Sequence, residues 1–195
     1  MGAAIPGIDN TLEVANSKYA RIERERRFLL RELPEDFNRA AEHVQIWDNY
    51  ITNTRLRLRK VRYPKTNQWI TKLTQKYAIE PGDLSRTKIT NTYLSATEYE
   101  VLSVFEGNEI RKNRYPFEHE GRKYSVDIFI GDLLGLILAE TDFGTDEELD
   151  SFTMPSFAFR EVTEDPMFTG GSLVLLTADD IRKRIYKQAN GIGEE

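Results

Sequence analysis

Arg55-Leu56-Arg57-Leu58-Arg59 is the stretch from which the fold is read. Successive side chains of a strand point to opposite faces, so three arginines share one face and two leucines the other. Glu23-Arg24-Glu25-Arg26-Arg27 repeats the pattern, with Glu23, Glu25 and Arg27 on a common face. Lys112-Asn113-Arg114 aligns two cations. Glu140-Thr141-Asp142 aligns two acids, with Ile137, Ala139 and Phe143 opposite, and Asp127 stands between Val126 and Ile128. A half-buried antiparallel sheet ordinarily turns its charges to water, and for any one of these strands that is the simpler reading. Here, however, the charges come in blocks of one sign, whereas solubilising surfaces intersperse the two. Acid pairs suit a divalent cation, which takes oxygen ligands, and cationic strands suit a polyanion. Together they describe a metal-bound polyphosphate, held inside a barrel whose inner face is the charged one.

The rest of the chain supplies the strands such a barrel needs. Strand patterns run over Tyr19–Leu30, His43–Thr52, Arg55–Tyr63, Gln68–Lys76, Arg86–Leu94, Glu109–Tyr115, Lys123–Ile130 and Leu136–Phe143. Glu120-Gly121 and Gly131-Asp132 read as hairpin turns. Helices are few. One begins at Pro34, a residue suited to a first helical turn, and runs through Glu42. A second is opened by Ser95 and Glu98, spaced as a capping box. A third covers Thr145–Phe152, with acids at its positive end, and a terminal one covers Ala178–Gln188. Residues 1–17 read as a flexible arm and 18–190 as a single domain. The fold class expected is α+β, mainly β: an eight-stranded antiparallel closed tunnel barrel with flanking helices and a charged interior.

Composition narrows the chemistry. The chain has 195 residues, a length suited to one domain, with 27 Lys and Arg against 32 Asp and Glu, a net charge of −5. With no Cys, disulfide scaffolds, thiolate metal sites and thiol catalysis are excluded. Two histidines, His43 and His119, exclude a His-rich metal site and read as loop residues. The negative balance disfavours nucleic acid as a partner. No apolar run reaches the ~18 residues of a membrane span, and Met1–Ser17 lacks a secretory signal, so a cytoplasmic location is expected. Trp47, Trp69 and Tyr63 read as packing, Gly170-Gly171 as a turn, and Arg182-Lys183-Arg184 as a solvated helix face.

Glu23-Arg24-Glu25-Arg26-Arg27-Phe28-Leu29-Leu30 resembles the N-terminal Glu-x-Glu-x-Lys signature of the CYTH superfamily, the triphosphate tunnel metalloenzymes, with Arg27 in place of the usual Lys. Arg55-x-Arg57, Lys72, Lys112-x-Arg114, Asp127, Glu140-x-Asp142 and Val162-Thr163-Glu164-Asp165 resemble its later segments in order, from about Tyr19 to Leu175. Asp142 replaces the more usual Glu, and Met167–Leu173 departs from the string common in bacterial members. The resemblance implies an eight-stranded tunnel, dependence on Mg²⁺ or Mn²⁺, and a small-molecule triphosphate as substrate.

On that resemblance Arg27, Arg55, Arg57, Lys72, Arg86, Lys112 and Arg114 hold phosphate oxygens, and Glu23, Glu25, Asp127, Glu140 and Asp142 ligate one or two divalent ions. Glu25, Arg27 and Asp127 are the catalytic candidates, with Glu25 or Asp127 as proton acceptor. Arg59 is divided evenly between the tunnel and the surface. The expected activity is metal-dependent hydrolysis of inorganic tripolyphosphate. An adenylate cyclase acting on ATP and a non-catalytic polyphosphate or nucleotide binder are the alternatives. Members of the superfamily often dimerise, so a homodimer is a further expectation.

Overall fold

The computed structural model describes residues 19–187; the expected arm over 1–17 lies outside the described residues. The strands are β1 (Arg21–Leu30), β2 (Val44–Ile51), β3 (Leu56–Tyr63), β4 (Gln68–Ala78), β5 (Arg86–Leu94), β6 (Gly107–His119), β7 (Arg122–Ile130) and β8 (Ile137–Asp142). All neighbouring pairs are antiparallel, and β1 closes the ring. Its first half pairs with β5, placing Glu23 beside Thr87. Its second half pairs with β8, placing Glu25 beside Asp142 and Arg27 beside Glu140. Around the ring the order is β1, β5, β4, β3, β2, β6, β7, β8, so β2 stands diametrically opposite β1. A two-residue strand, β9 (Arg160–Glu161), adds to the free side of β1 at Phe28 and Leu29.

Local chemistry fixes the turns and caps. Glu120 and Gly121 both adopt positive φ, +50° and +74°, as the two-residue turn between β6 and β7 requires. Helix α1 (Ala96–Leu102) is opened by the expected box: Ser95 Oγ accepts from the Glu98 amide and Glu98 Oε2 accepts from the Ser95 amide. Helix α2 (Asp146–Ser151) starts where Thr145 Oγ1 accepts from the Glu148 amide. The short α3 (Gly170–Leu173) and the terminal α4 (Ala178–Lys187) follow.

The helix expected from Pro34 to Glu42 does not form. Two separate turns replace it, closed by Phe37 N–H to Pro34 O and Ala41 N–H to Asn38 O. Asn38 Oδ1 also accepts from the Ala40 amide at 2.9 Å, a local bond that competes with helix. Leu33 and Phe37 fasten this segment to the outside of the barrel, over Phe28, Leu30, Phe117, Tyr124, Val126 and Ala139.

The inner face changes character along the barrel. Its middle is charged, but toward one end Leu29, Ile110, Phe129 and Leu138 point inward and pack against Val162, Phe168, Leu173 and Ile181. Two apolar clusters thus grip the charged wall, one outside it and one plugging an end.

Candidate active site

Period-two alternation on eight strands sends one set of side chains into a cavity of about 440 Å³. Glu23, Glu25 and Arg27 enter from β1, Asp48 and Tyr50 from β2, Arg57 and Arg59 from β3, with Arg55 just before it. Lys72 and Lys76 enter from β4, Lys112 and Arg114 from β6, and Glu140 and Asp142 from β8. The charges interlock. Lys76 Nζ lies 2.9 Å from Glu23 Oε2 and 3.2 Å from Glu25 Oε1. Arg27 donates to Glu25 Oε1 at 2.6 Å, to Glu140 Oε1 at 3.0 Å and to the Phe168 carbonyl at 3.0 Å. Arg114 grips Asp127 through two bonds of 2.6 Å and reaches Glu140 Oε2 at 2.5 Å. Lys112 Nζ donates to Asp127 Oδ2 at 2.5 Å. On the wall opposite β1, Arg59 binds both oxygens of Asp48 at 2.6 Å, and Arg57 Nε lies 3.6 Å from Asp48 Oδ1.

Among the described residues nine arginines and lysines line the cavity with five carboxylates, and Asp127 beneath Lys112 and Arg114 is a sixth. The wall therefore carries three more positive than negative charges. Burial alone would discharge such groups; the pairing keeps them ionised. Glu140 is held well below the usual carboxylate range by Arg114 and Arg27, against strong desolvation. Arg114 and Lys76 are raised by their acid partners, also against desolvation. Lys72 differs. Among the described residues no carboxylate lies within ion-pair distance of it, and burial, with Arg59 and Arg57 nearby, pushes its pKa down to about 8.

Ten of the expected residues share this one cavity: Glu23, Glu25, Arg27, Arg55, Arg57, Lys72, Lys112, Arg114, Glu140 and Asp142. Asp127 is 0% exposed, with both oxygens taken by Lys112 and Arg114; it lies on the inward face beneath those cations and anchors them without itself lining the cavity. Arg86 is the departure. It pairs with Arg24 across β5 and β1, and Arg24 alternates with Glu23 and Glu25, so both arginines face outward. There Arg86 binds Asp83, Asp146 and Asp150, and Arg24 binds Asp146. Sequence reasoning missed Asp48, Lys76, Tyr50 and Arg21. Lys76 could have been found, since it follows Lys72 by four residues on the same face. Asp48 gives a fainter signal, one acid sharing its face with Ile46 and Tyr50 in a strand of aromatic and amide residues.

The donor set fits a hard divalent cation. Asp142 has no cation bonded to it among the described residues, and its pKa is pushed up by burial and by the nearby Glu25, Glu140 and Glu23. Such crowding of like charge is what a cation relieves. No group of three acidic or histidine side chains among the described residues is already arranged as a ligand set, because Glu25 and Glu140 are turned to Arg27, Lys76 and Arg114.

The closed eight-stranded antiparallel barrel with an acid-and-base-lined tunnel matches the tunnel architecture that the sequence resemblance to the CYTH superfamily implies. Comparison with known proteins gives the particular likeness. No family model matches the chain. Over 98 residues it is 37% identical to an inorganic triphosphatase of Acetivibrio thermocellus, covering 45% of this chain and 62% of that protein. Over 96 residues it is 31% identical to an inorganic triphosphatase of Nitrosomonas europaea, covering 48% and 63%. The chain thus spans somewhat less than two thirds of the length of these curated relatives. The crystal structure of the inorganic triphosphatase NE1496 superposes with a TM-score of 0.53 at 25% identity, covering 78% of this chain and 94% of that one. No helix among the described residues is long and apolar enough to cross a membrane.

Proposed function

We propose that this chain is a metal-dependent triphosphatase that cleaves inorganic tripolyphosphate to pyrophosphate and phosphate. The observation that carries the reading is the excess of cations over carboxylates around a cavity of about 440 Å³. A wall of this kind compensates a compact polyanion. The likeness to proteins named inorganic triphosphatase supports the same substrate.

Phosphoryl transfer asks a protein mainly for positioning and charge stabilisation. Arg57 presents a buried Nε without a hydrogen-bond partner, a donor directed to phosphate oxygen. Lys72, Lys112 and Arg114 supply further donors, as do Arg55 and Arg27 in the same lining. Guanidinium groups grip phosphate through paired bonds. Glu23, Glu25, Glu140 and Asp142 would hold Mg²⁺ or Mn²⁺. When bound, the ion supplies charge neutralisation and lowers the pKa of water. Glu25, which shares Arg27 with Glu140, would accept the proton lost by the attacking water. The apolar plug of Phe168 and Leu173 closes the wall behind Arg27 and keeps water from that side.

The test measures phosphate release from tripolyphosphate and from ATP, each with Mg²⁺ or Mn²⁺, with cyclic AMP assayed alongside. Release from tripolyphosphate in preference to ATP is the expected result. Cyclic AMP formation, or release from ATP alone, would overturn the assignment.

A further inference from the structure

Asp48 has no role in the chemistry described so far. It lies on β2, opposite the β1 strand that carries Glu23 and Glu25, and so stands apart from the carboxylates suited to a cation. It is 1% exposed. Its two oxygens take Nε and one terminal nitrogen of Arg59, each at 2.6 Å, and the Arg57 Nε lies 3.6 Å away. A carboxylate and a phosphate compete for the same face of a guanidinium, since both accept paired N–H bonds. The face of Arg59 that would grip a phosphate is thus taken from within, and Arg57 feels the same charge.

We propose that Asp48 is a built-in competitor anion that sets how much negative charge the tunnel accepts, favouring tripolyphosphate over longer linear polyphosphates. The proposal rests on the triphosphate reading above. With Asp48 ionised, Arg59 is occupied and the wall holds its excess of three cations. Removing the carboxylate frees a bidentate donor and raises that excess by one. A longer chain, with more charge and more reach, gains most from both changes. A residue that only props up Arg57 and Arg59 would behave differently, because its loss would weaken every polyphosphate alike.

The experiment is calorimetric binding of tripolyphosphate and of tetrapolyphosphate in EDTA, so that no turnover occurs. Asp48→Asn is expected to shift the ratio of the two affinities toward tetrapolyphosphate by about tenfold, the scale of one added charge at a partly buried site. Arg59→Gln is expected to shift it about tenfold the other way, since Asp48 is then left uncompensated. The double variant replaces a buried ion pair by a neutral pair, a change proteins tolerate, and should restore the wild-type ratio. Either single variant decides the matter if the other fails to fold. A ratio unmoved in the variants, with both affinities falling together, would overturn the role of Asp48. A wild-type chain that bound neither anion in EDTA and released no phosphate from tripolyphosphate with Mg²⁺ or Mn²⁺ would overturn the triphosphate reading itself.

Discussion

Arg21, Arg27, Arg57, Arg59 and Arg114 each lie beside an acid, and the strength of that hold sets what their removal does. Arg57 is the exception that keeps a donor unspent. Arg57→Ala is expected to lower kcat/KM for tripolyphosphate about tenfold to a hundredfold, the worth of one charged hydrogen bond. Steady-state kinetics at fixed metal concentration checks this, and unchanged kinetics would place Arg57 outside the site. Lys72 makes a pH prediction. Its pKa is depressed to about 8 from an ordinary value near 10.5, so its charge is present below pH 8 and lost as pH rises through it. Folding stability gains from that loss, because the unfolded chain keeps the proton longer. Anion binding suffers, so KM should climb above about pH 8, and Lys72→Arg should remove the climb. The residues legible in the sequence were those repeated at i and i+2, as in Glu23-x-Glu25 and Arg55-x-Arg57. Asp48 was hidden because one acid between Ile46 and Tyr50 on its face has no repeat to mark it. Arg86 was misread because its face is set by the register of β5 on β1, and no pattern within β5 discloses that.

Among the elements, strand periodicity was the reliable signal. The eight expected strands all form, and β6 runs longer than expected, from Gly107 to His119, because its far end pairs with β7 through the Glu120-Gly121 turn. The segment after β1 was read as helix from its Pro34-Glu35-Asp36 start, but the Asn38 side chain and the anchoring of Phe37 impose turns instead. The plug was not legible at all. Phe168, Leu173 and Ile181 come from separate short segments, and only the closed barrel end brings them together. Phe168 is 1% exposed, so Phe168→Ala is expected to cost about 3–5 kcal/mol, by cavity formation, measured by denaturant unfolding. Gly170 packs against Tyr50 so closely that an added Cβ would lie 1.7 Å from the Tyr50 hydroxyl. Gly170→Ala should therefore displace Tyr50 and lower kcat/KM. A variant with wild-type turnover would show that Tyr50 has no part in the site.

The whole molecule is a barrel with its charge concentrated within and apolar clusters packed against part of its outer wall and at one end. Two networks of ion pairs hold its like charges together, one running from Glu23 through Lys76, Arg27 and Arg114 to Asp127 and one around Asp48; on the proposed function a bound polyanion would complete the balance. Saturation with tripolyphosphate at a hundred times its Kd is expected to stabilise the fold by about 2.7 kcal/mol. For a chain of this size that is a rise in Tm of roughly 5–10 °C, measured by thermal unfolding with and without the anion. The central claim, that the inward acids and bases form a working triphosphatase site, has one most direct test. Phosphate release from tripolyphosphate is followed for the wild-type chain and for Glu25→Gln, with Mg²⁺ or Mn²⁺ and again with EDTA. The account predicts release by the wild type that EDTA abolishes and that Glu25→Gln loses while remaining folded. Release that persists in EDTA, or near-full activity in Glu25→Gln, would contradict it.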